Sequence, residues 1–187
     1  MGNSMTSLVI NGDTSGSITL QAPAAAGSSV HTLPAATGTV MVSGNMPCFS
    51  AYVGTNQAVS TNTWTKLQCS VEEFDTANCY DSSTNYRFTP NVAGYYLFNG
   101  MTDNVTGSPS RVIHQFYKNG TTAKVGLDIG ISTGNFSQAA GGVSTALIYM
   151  NGTTDYVEFY VYYGGGASVA GGSSNQSYFQ GILLRTA

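Results

Sequence analysis

The sequence predicts an all-β protein, an antiparallel sandwich, and three observations carry that expectation. Apolar and aromatic residues recur at period two, in Trp64-Thr65-Lys66-Leu67-Gln68-Cys69 and in Tyr156-Val157-Glu158-Phe159-Tyr160-Val161-Tyr162-Tyr163. That repeat belongs to an extended chain with one buried face. Hairpin signals, Asn119-Gly120 and Asn151-Gly152 among them, separate such segments at short spacing. No stretch sustains a helical stripe, because Gly, Ser and Thr interrupt every candidate.

In chain order, Ser7-Leu8-Val9-Ile10 reads as a short strand ended by the turn Asn11-Gly12-Asp13, and Ser17-Ile18-Thr19-Leu20-Gln21 as its partner. Pro23 and the Ala/Gly run after it break the pattern, and residues 30–34 and 38–42 read as two more short strands. These ~45 residues are too few to bury a core alone, so they gain stability by pairing with sister chains or with a larger scaffold. Ser43-Gly44-Asn45-Met46-Pro47 marks a boundary between an N-terminal segment, residues 1–46, and a head, residues 47–187.

The head opens with the strand Cys48-Phe49-Ser50-Ala51-Tyr52-Val53, and Trp64, the single tryptophan, is expected in its core. Residues 74–100 organise the rest as strand, turn, strand, turn, strand. Tyr86 with Phe88, and Tyr96 with Phe98, stand at period two and are each expected on one face. Pro90 closes one strand, since it cannot donate to a ladder, and Gly94 opens the next. Further strands are expected at 111–117, 125–131, 143–150, 155–163 and 177–185, with a Gly-rich loop from 164 to 172.

The 187 residues suit one sizeable domain plus an extension. Charged residues make up only 8%, against about 25% in ordinary soluble domains. Sparse charge leaves sheet edges unprotected and favours an assembled state. The formal net charge is -3 and the six basic residues are scattered, so no nucleic-acid partner is expected. No apolar run reaches the ~18 residues of a membrane span, so no membrane insertion is expected. The first residues lack the basic and apolar regions of a signal peptide, although Gly2 with Thr6 fits the loose myristoylation pattern. The expectation is a surface-type β protein that reaches the outside on a particle released by lysis. Cys48, Cys69 and Cys79 cannot all pair within one chain; they read as small apolar fillers, with a Cys69–Cys79 bridge as the alternative.

Catalysis needs convergent titratable groups, and His31 and His114 lie in different segments. No GxSxG, HExxH or phosphate-loop motif is present, so no catalytic residue and no enzyme activity are expected. Glu72, Glu73 and Asp75 read as a solvated strand end, and His114 as a strand histidine with a satisfied hydrogen bond. No cofactor is expected, with one open alternative: the loop acids Asp81, Asp103 and Asp128 offer hard oxygen ligands for calcium. In the stripe from 156 to 163, Val157, Phe159, Val161 and Tyr163 are assigned to the core. Tyr156, Glu158, Tyr160 and Tyr162 face the other way. With Tyr95, these tyrosines are candidates for an interface, for a sugar-stacking surface, or for a plain solvent face.

One series of residues extends this reading: Phe74, Tyr80-Asp81, Thr84, Phe88, Pro90, Gly94, Tyr96 and Phe98. It continues through Lys118-Asn119-Gly120 and Asn151-Gly152, then Tyr156-Val157, to Tyr178-Phe179-Gln180-Gly181-Ile182-Leu183-Leu184. It resembles the signature of the C1q-like (C1q/TNF superfamily) head domain, and Gly100 departs from it, standing where that family usually has an aromatic. The resemblance implies a jelly-roll sandwich that assembles as a homotrimer and binds ligands without catalysis. It implies that Phe74, Tyr80, Phe88, Gly94, Tyr96, Phe98, Phe179 and Gly181 are the fold signature and core. It also places a threefold contact on the tyrosine face, with Tyr95, Tyr156, Tyr160 and Tyr162 as candidates.

The text Gly12-Asp13-Thr14-Ser15-Gly16-Ser17-Ile18-Thr19-Leu20, followed by Thr32-Leu33-Pro34-Ala35-Ala36-Thr37-Gly38-Thr39-Val40, resembles the N-terminal segment of bacteriophage fibre and head-decoration proteins. This implies a structural protein of the virion surface, assembled in the host cytoplasm as a head fibre, capsid decoration or short tail fibre. Residues 1–46 would bind other virion proteins, and the trimeric head would serve attachment to host-surface glycans. The loops near 54–63, 103–110, 132–138 and 164–176 are expected to make that contact or simply to cap the particle. A free soluble lectin-like adhesin is the alternative.

Overall fold

A computed structural model of the chain describes residues 7–25, 27–28, 30–32, 35, 37–38, 40–130, 141–165, 167–169, 171–173 and 175–187, with the backbone alone at 167 and 168. The chain divides into two compact units, Met1–Gly38 and Thr39–Ala187. In the first, β1 (Ser7–Asn11) pairs antiparallel with β2 (Ser17–Gln21), as the alternation predicts. Gly12 N–H donates to the Gly16 carbonyl at 3.0 Å, and Gly16 turns the chain at φ +76°. Leu8, Val9, Ile10, Ile18 and Leu20 are each at least 50% exposed, so this hairpin buries almost nothing within itself. The described residues between 30 and 42 form no further strand, and the remainder of the two strands expected there lies outside the described residues.

The second unit is built from β3 (Cys48–Tyr52), β4 (Gln57–Val59), β5 (Thr65–Lys66), β6 (Val71–Asp75), β7 (Tyr80–Asp81), β8 (Arg87–Phe88) and β9 (Gly94–Thr102). After these come β10 (Asn104–Gly107), β11 (Arg111–Lys118), β12 (Thr121–Gly130), β13 (Gly142–Met150), β14 (Val157–Gly164), β15 (Ala167–Val169) and β16 (Tyr178–Thr186). A five-stranded sheet runs β13-β9-β16-β3-β6, and a six-stranded sheet runs β12-β11-β14-β8-β7 with β5 also on β14. Their strand pairs are antiparallel, as expected for a sandwich. Asn119 and Gly120, at φ +54° and +78°, make the tight hairpin between β11 and β12 that their identities predict.

The core lies between these two sheets. Phe49, Tyr96, Phe98, Phe179 and Leu183 enter it from one side; Phe88, Phe116, Val157, Phe159, Val161 and Tyr163 enter from the other, all at 1% exposure or less. The Phe49 ring stacks on Tyr80 at 4.8 Å and on Phe88 at 4.5 Å and meets Phe179 edge-on at 5.0 Å, so one aromatic cluster joins the sheets. Gly100 is explained by this packing. A Cβ there would run into the Phe159 ring, which fills the space an aromatic at position 100 would take. Gly100→Ala is therefore expected to lower stability by about 1–3 kcal/mol through overpacking, read as a lower urea midpoint. An unchanged midpoint would show that the Phe159 ring yields freely.

Three expectations need correction. Phe74 is not a core residue: it is 50% exposed, because its pairing with Ser50 on edge strand β6 turns it away from the sandwich. Tyr86 does not share a face with Phe88. Its backbone lies at φ +49°, outside extended geometry, so the period-two rule breaks one residue before β8 begins. Trp64 is half-buried against Tyr162 at 5.4 Å on the outside of the six-stranded sheet, and does not enter the core.

Three of the expected contact loops also carry strands. β4, β10 and β15, from 54–63, 103–110 and 164–176, form a small antiparallel sheet in the order β10-β15-β4, seated on buried Val59 and Val169. The expected loop at 132–138 lies outside the described residues.

Candidate functional site

The register of the five-stranded sheet dictates what its outward face presents. Residues directly opposite one another on β3, β16, β9 and β13 form cross-strand rows, and alternate rows point away from the core. Tyr52, Tyr178, Met101 and Val143 make one outward row. Ser50, Gln180, Asn99 and Thr145 make the next, tied by Ser50 Oγ–Gln180 Oε1 at 3.4 Å and by Thr145 Oγ1 donating to Asn99 Oδ1 at 2.7 Å. Cys48, Ile182, Leu97 and Leu147 follow, then Tyr95 with Tyr149, whose rings lie 5.5 Å apart beside the exposed Leu184.

The face is thus apolar, polar, apolar and aromatic in bands. Ile182, Leu147, Tyr149 and Leu184 are 43–59% exposed on one side of the polar row, with Val143, 53% exposed, on the other; exposed apolar bands of this kind mark an interface. Phe74 extends it, bordering with Cys48, Leu97 and Ile182 a shallow cleft of about 200 Å3.

Of the four candidate tyrosines, only Tyr95 lies here. Tyr156, Tyr160 and Tyr162 are half-buried at or beside β14, in the other sheet, so the four do not form one face. Their rings already have partners in the chain. Tyr160 stacks on Tyr117 at 4.0 Å, Tyr162 packs on Trp64 and donates to Asn62 Oδ1 at 3.1 Å, and the Arg87 guanidinium sits 4.2 Å from the centre of the Tyr156 ring. Sequence reasoning missed Leu147, Tyr149, Ile182 and Leu184. Their alternation was legible, but a period of two cannot say which set of alternating apolar residues faces inward.

Several titratable groups hold structure. Glu158 is buried on β14 and pairs with Lys66 Nζ at 2.7 Å, which also donates to the Asn85 carbonyl at 3.0 Å. Lys66→Met would leave that carboxylate and that carbonyl unpartnered. It is expected to cost about 3 kcal/mol in chemical unfolding, with the double variant Lys66→Met, Glu158→Met recovering part of it. A silent single variant would mean that water replaces the lysine.

Asp81 accepts from the backbone N–H groups of Thr84, Ser83 and Asn85 and from the Asn85 amide, which holds its carboxyl well below the usual carboxylate range. Asp128 is forked by Arg111 at 2.7 and 2.8 Å, a bond that lowers it in turn. Asp103 follows β9. The structure does not bring these three acids together, and among the described residues no three His, Cys, Asp or Glu side chains converge in a metal-holding group.

Glu72 accepts from Ser82 Oγ and Glu73 from Ser50 Oγ, while Asp75 accepts from the N–H groups of Ala77 and Tyr80. His114 is fully buried between Thr102 Oγ1 at 2.7 Å and Ser144 Oγ at 2.9 Å, the satisfied strand histidine that was expected. All three cysteines are free; burial raises the thiols of Cys69 and Cys79, as befits fillers. No helix among the described residues is long and apolar enough to cross a membrane.

No family model and no curated protein matches the sequence. Among solved structures the chain is similar to the Eiger TNF of S. frugiperda, at 12% identity over 76% of this chain and 93% of that one, with a TM-score of 0.53. It is similar to murine APRIL at 8% identity over 74% and 99%, with a TM-score of 0.52. A PRD1 vertex protein aligns at 16% identity over 76% and 96%, with a TM-score of 0.49. The two-sheet order, the antiparallel register and the likeness to Eiger and APRIL together show a TNF/C1q-like jelly-roll fold.

Proposed function

We propose that this chain is a non-catalytic display and attachment protein: a homotrimeric jelly-roll head, carried on a virion surface through residues 1–46 and serving contact with host-surface glycans. The observation that carries the assembly is the banded apolar face of the five-stranded sheet. A monomer would leave Val143, Leu147, Tyr149, Ile182 and Leu184 in water together, and packing against copies removes them from it. The number three comes from the C1q-like resemblance, and the face from the register. Anchoring is supported by β1–β2, whose apolar side chains lack a core of their own and suit a hairpin that completes itself on a partner.

Light scattering on the full chain is the test of assembly. Three chain masses are expected, against 19.5 kDa for one, and a single-chain mass at micromolar concentration sinks the proposal. For anchoring, the full chain is expected to co-sediment with the particle, and a chain lacking residues 1–46 to remain in the supernatant. Equal co-sedimentation would assign attachment to the head instead.

A further inference from the structure

A groove of about 570 Å3 opens beside β4 and β5, within the range of small-molecule sites, roughly 300–1,000 Å3. Thr55, Asn56, Gln57, Gln68, Ser70 and Tyr86 line it, and none of its lining residues is charged. Its floor is fixed: Gln57 Nε2 donates to the Lys66 carbonyl and Gln57 Oε1 accepts from Gln68 N–H, both at 2.8 Å. Asn56 Oδ1 accepts from Gly171 N–H at 2.8 Å, which orients the amide. Among the described residues, the Asn56 Nδ2 donor and the exposed Gln68 side chain have no partner.

Tyr86 is held at φ +49°, a conformation that is an outlier for a bulky residue. The preceding residue, Asn85, is clamped. Asp81 Oδ2 accepts from Asn85 N–H at 3.1 Å and from Asn85 Nδ2 at 2.6 Å, while Lys66 Nζ holds the Asn85 carbonyl. Strain sustained by surrounding bonds in this way clusters at ligand clamps.

We propose that this groove binds a neutral saccharide, one or two hexose units of a glycan, with the Tyr86 ring as the stacking surface and the Asn56 and Gln68 amides bonding adjacent hydroxyls. The lining chemistry selects that class. Amides and hydroxyls both donate and accept, as sugar hydroxyls do, and the aromatic ring suits the apolar face of a pyranose. An anion would meet no cation among the lining residues, and Lys66 nearby in sequence is committed to Glu158 and Asn85. An apolar ligand would meet mostly polar side chains. The inference rests on the attachment reading above and names its site.

The test is a glycan array probed with the full chain and with the variants Tyr86→Gly and Gln68→Ala, followed by titration of the wild type with lactose, maltose and N,N′-diacetylchitobiose by NMR. Glycine suits the left-handed backbone at 86, so Tyr86→Gly is expected to keep the thermal midpoint while losing array signal about tenfold, the scale of one aromatic contact. Side-chain amide shifts at Asn56 and Gln68 with at least one sugar would support the site. Undiminished array binding by both variants, or shifts confined to Tyr117 and Tyr160, would overturn the groove while leaving glycan attachment standing. A silent array with no shifts would overturn both.

Discussion

Leu147→Asp combined with Ile182→Asp is expected to convert the proposed trimer into folded monomers. The two residues share one cross-strand row with Leu97 and Cys48, and they are 49% and 43% exposed in the isolated chain. A carboxylate at either position remains hydrated in the monomer and would be stranded between apolar neighbours in the proposed trimer. Burying an unpaired carboxylate costs several kcal/mol even after relaxation, and symmetry repeats each substitution in every chain. Folding loses little, because neither side chain fills the core. Light scattering should therefore fall to one chain mass while the unfolding transition stays cooperative.

The matched control is Tyr160→Asp with Tyr162→Asp, on the other sheet, where Tyr117 and Trp64 already cover the rings. That pair is expected to keep the assembled mass. If it dissociates the protein while the Leu147 and Ile182 variant stays assembled, the contact lies on the six-stranded sheet and the banded face serves another purpose.

The contrast between these two pairs shows what was legible in the sequence. Strand positions followed from alternation and turn chemistry: Asn119-Gly120 turns as its φ values require, and Tyr96, Phe98, Val157, Phe159, Val161 and Tyr163 all go inward. What alternation does not encode is the ladder, and so which face looks outward. Tyr95 and Tyr160 look alike in sequence, yet Tyr95 lies opposite Tyr149 on one sheet and Tyr160 stacks on Tyr117 on the other. Phe74 was placed in the core by the resemblance, and its side is set instead by pairing with Ser50 across a register shift between Ser50 and Ala51.

Tyr86 escaped because its backbone follows an Asp81 turn, whose carboxylate accepts from Asn85 N–H, and a long-range bond from Lys66 Nζ to the Asn85 carbonyl; alternation registers neither. The third sheet stayed hidden because β4 and β15 are three residues each, β4 set in Thr- and Asn-rich and β15 in Gly- and Ser-rich text.

Stability is expected to fall as pH drops from about 6.5 to about 4, with His114 as the cause. Its ring bridges the sheets: β11 carries it, Thr102 on β9 and Ser144 on β13 bond its two nitrogens, and Phe159 meets it edge-on at 5.1 Å. Ser144 Oγ also accepts from Leu127 N–H, and Thr102 Oγ1 from the Tyr163 hydroxyl. A neutral imidazole satisfies this arrangement by donating from one nitrogen and accepting at the other. An imidazolium would sit fully buried with neutral groups at both nitrogens, and burial pushes its pKa down to about 4 from 6.5.

The unfolded chain therefore binds a proton in this window that the folded chain refuses. Unfolding is favoured as pH falls through it, by about 3 kcal/mol once pH is below the folded value. Asp81, Asp128 and Asp155 have folded values below 3.8, so their contributions are present above the unfolded carboxylate range and are lost only at lower pH. Between pH 6.5 and 4.5 these three carboxylates therefore stay ionised in the folded chain and leave the histidine effect in view. Urea titrations across it should show a falling midpoint for the wild type and a flat one for His114→Gln, which retains a donor and an acceptor without the titration. An equal slope in both proteins would remove His114 from the account and assign the acid sensitivity to the carboxylates or to the assembly contact.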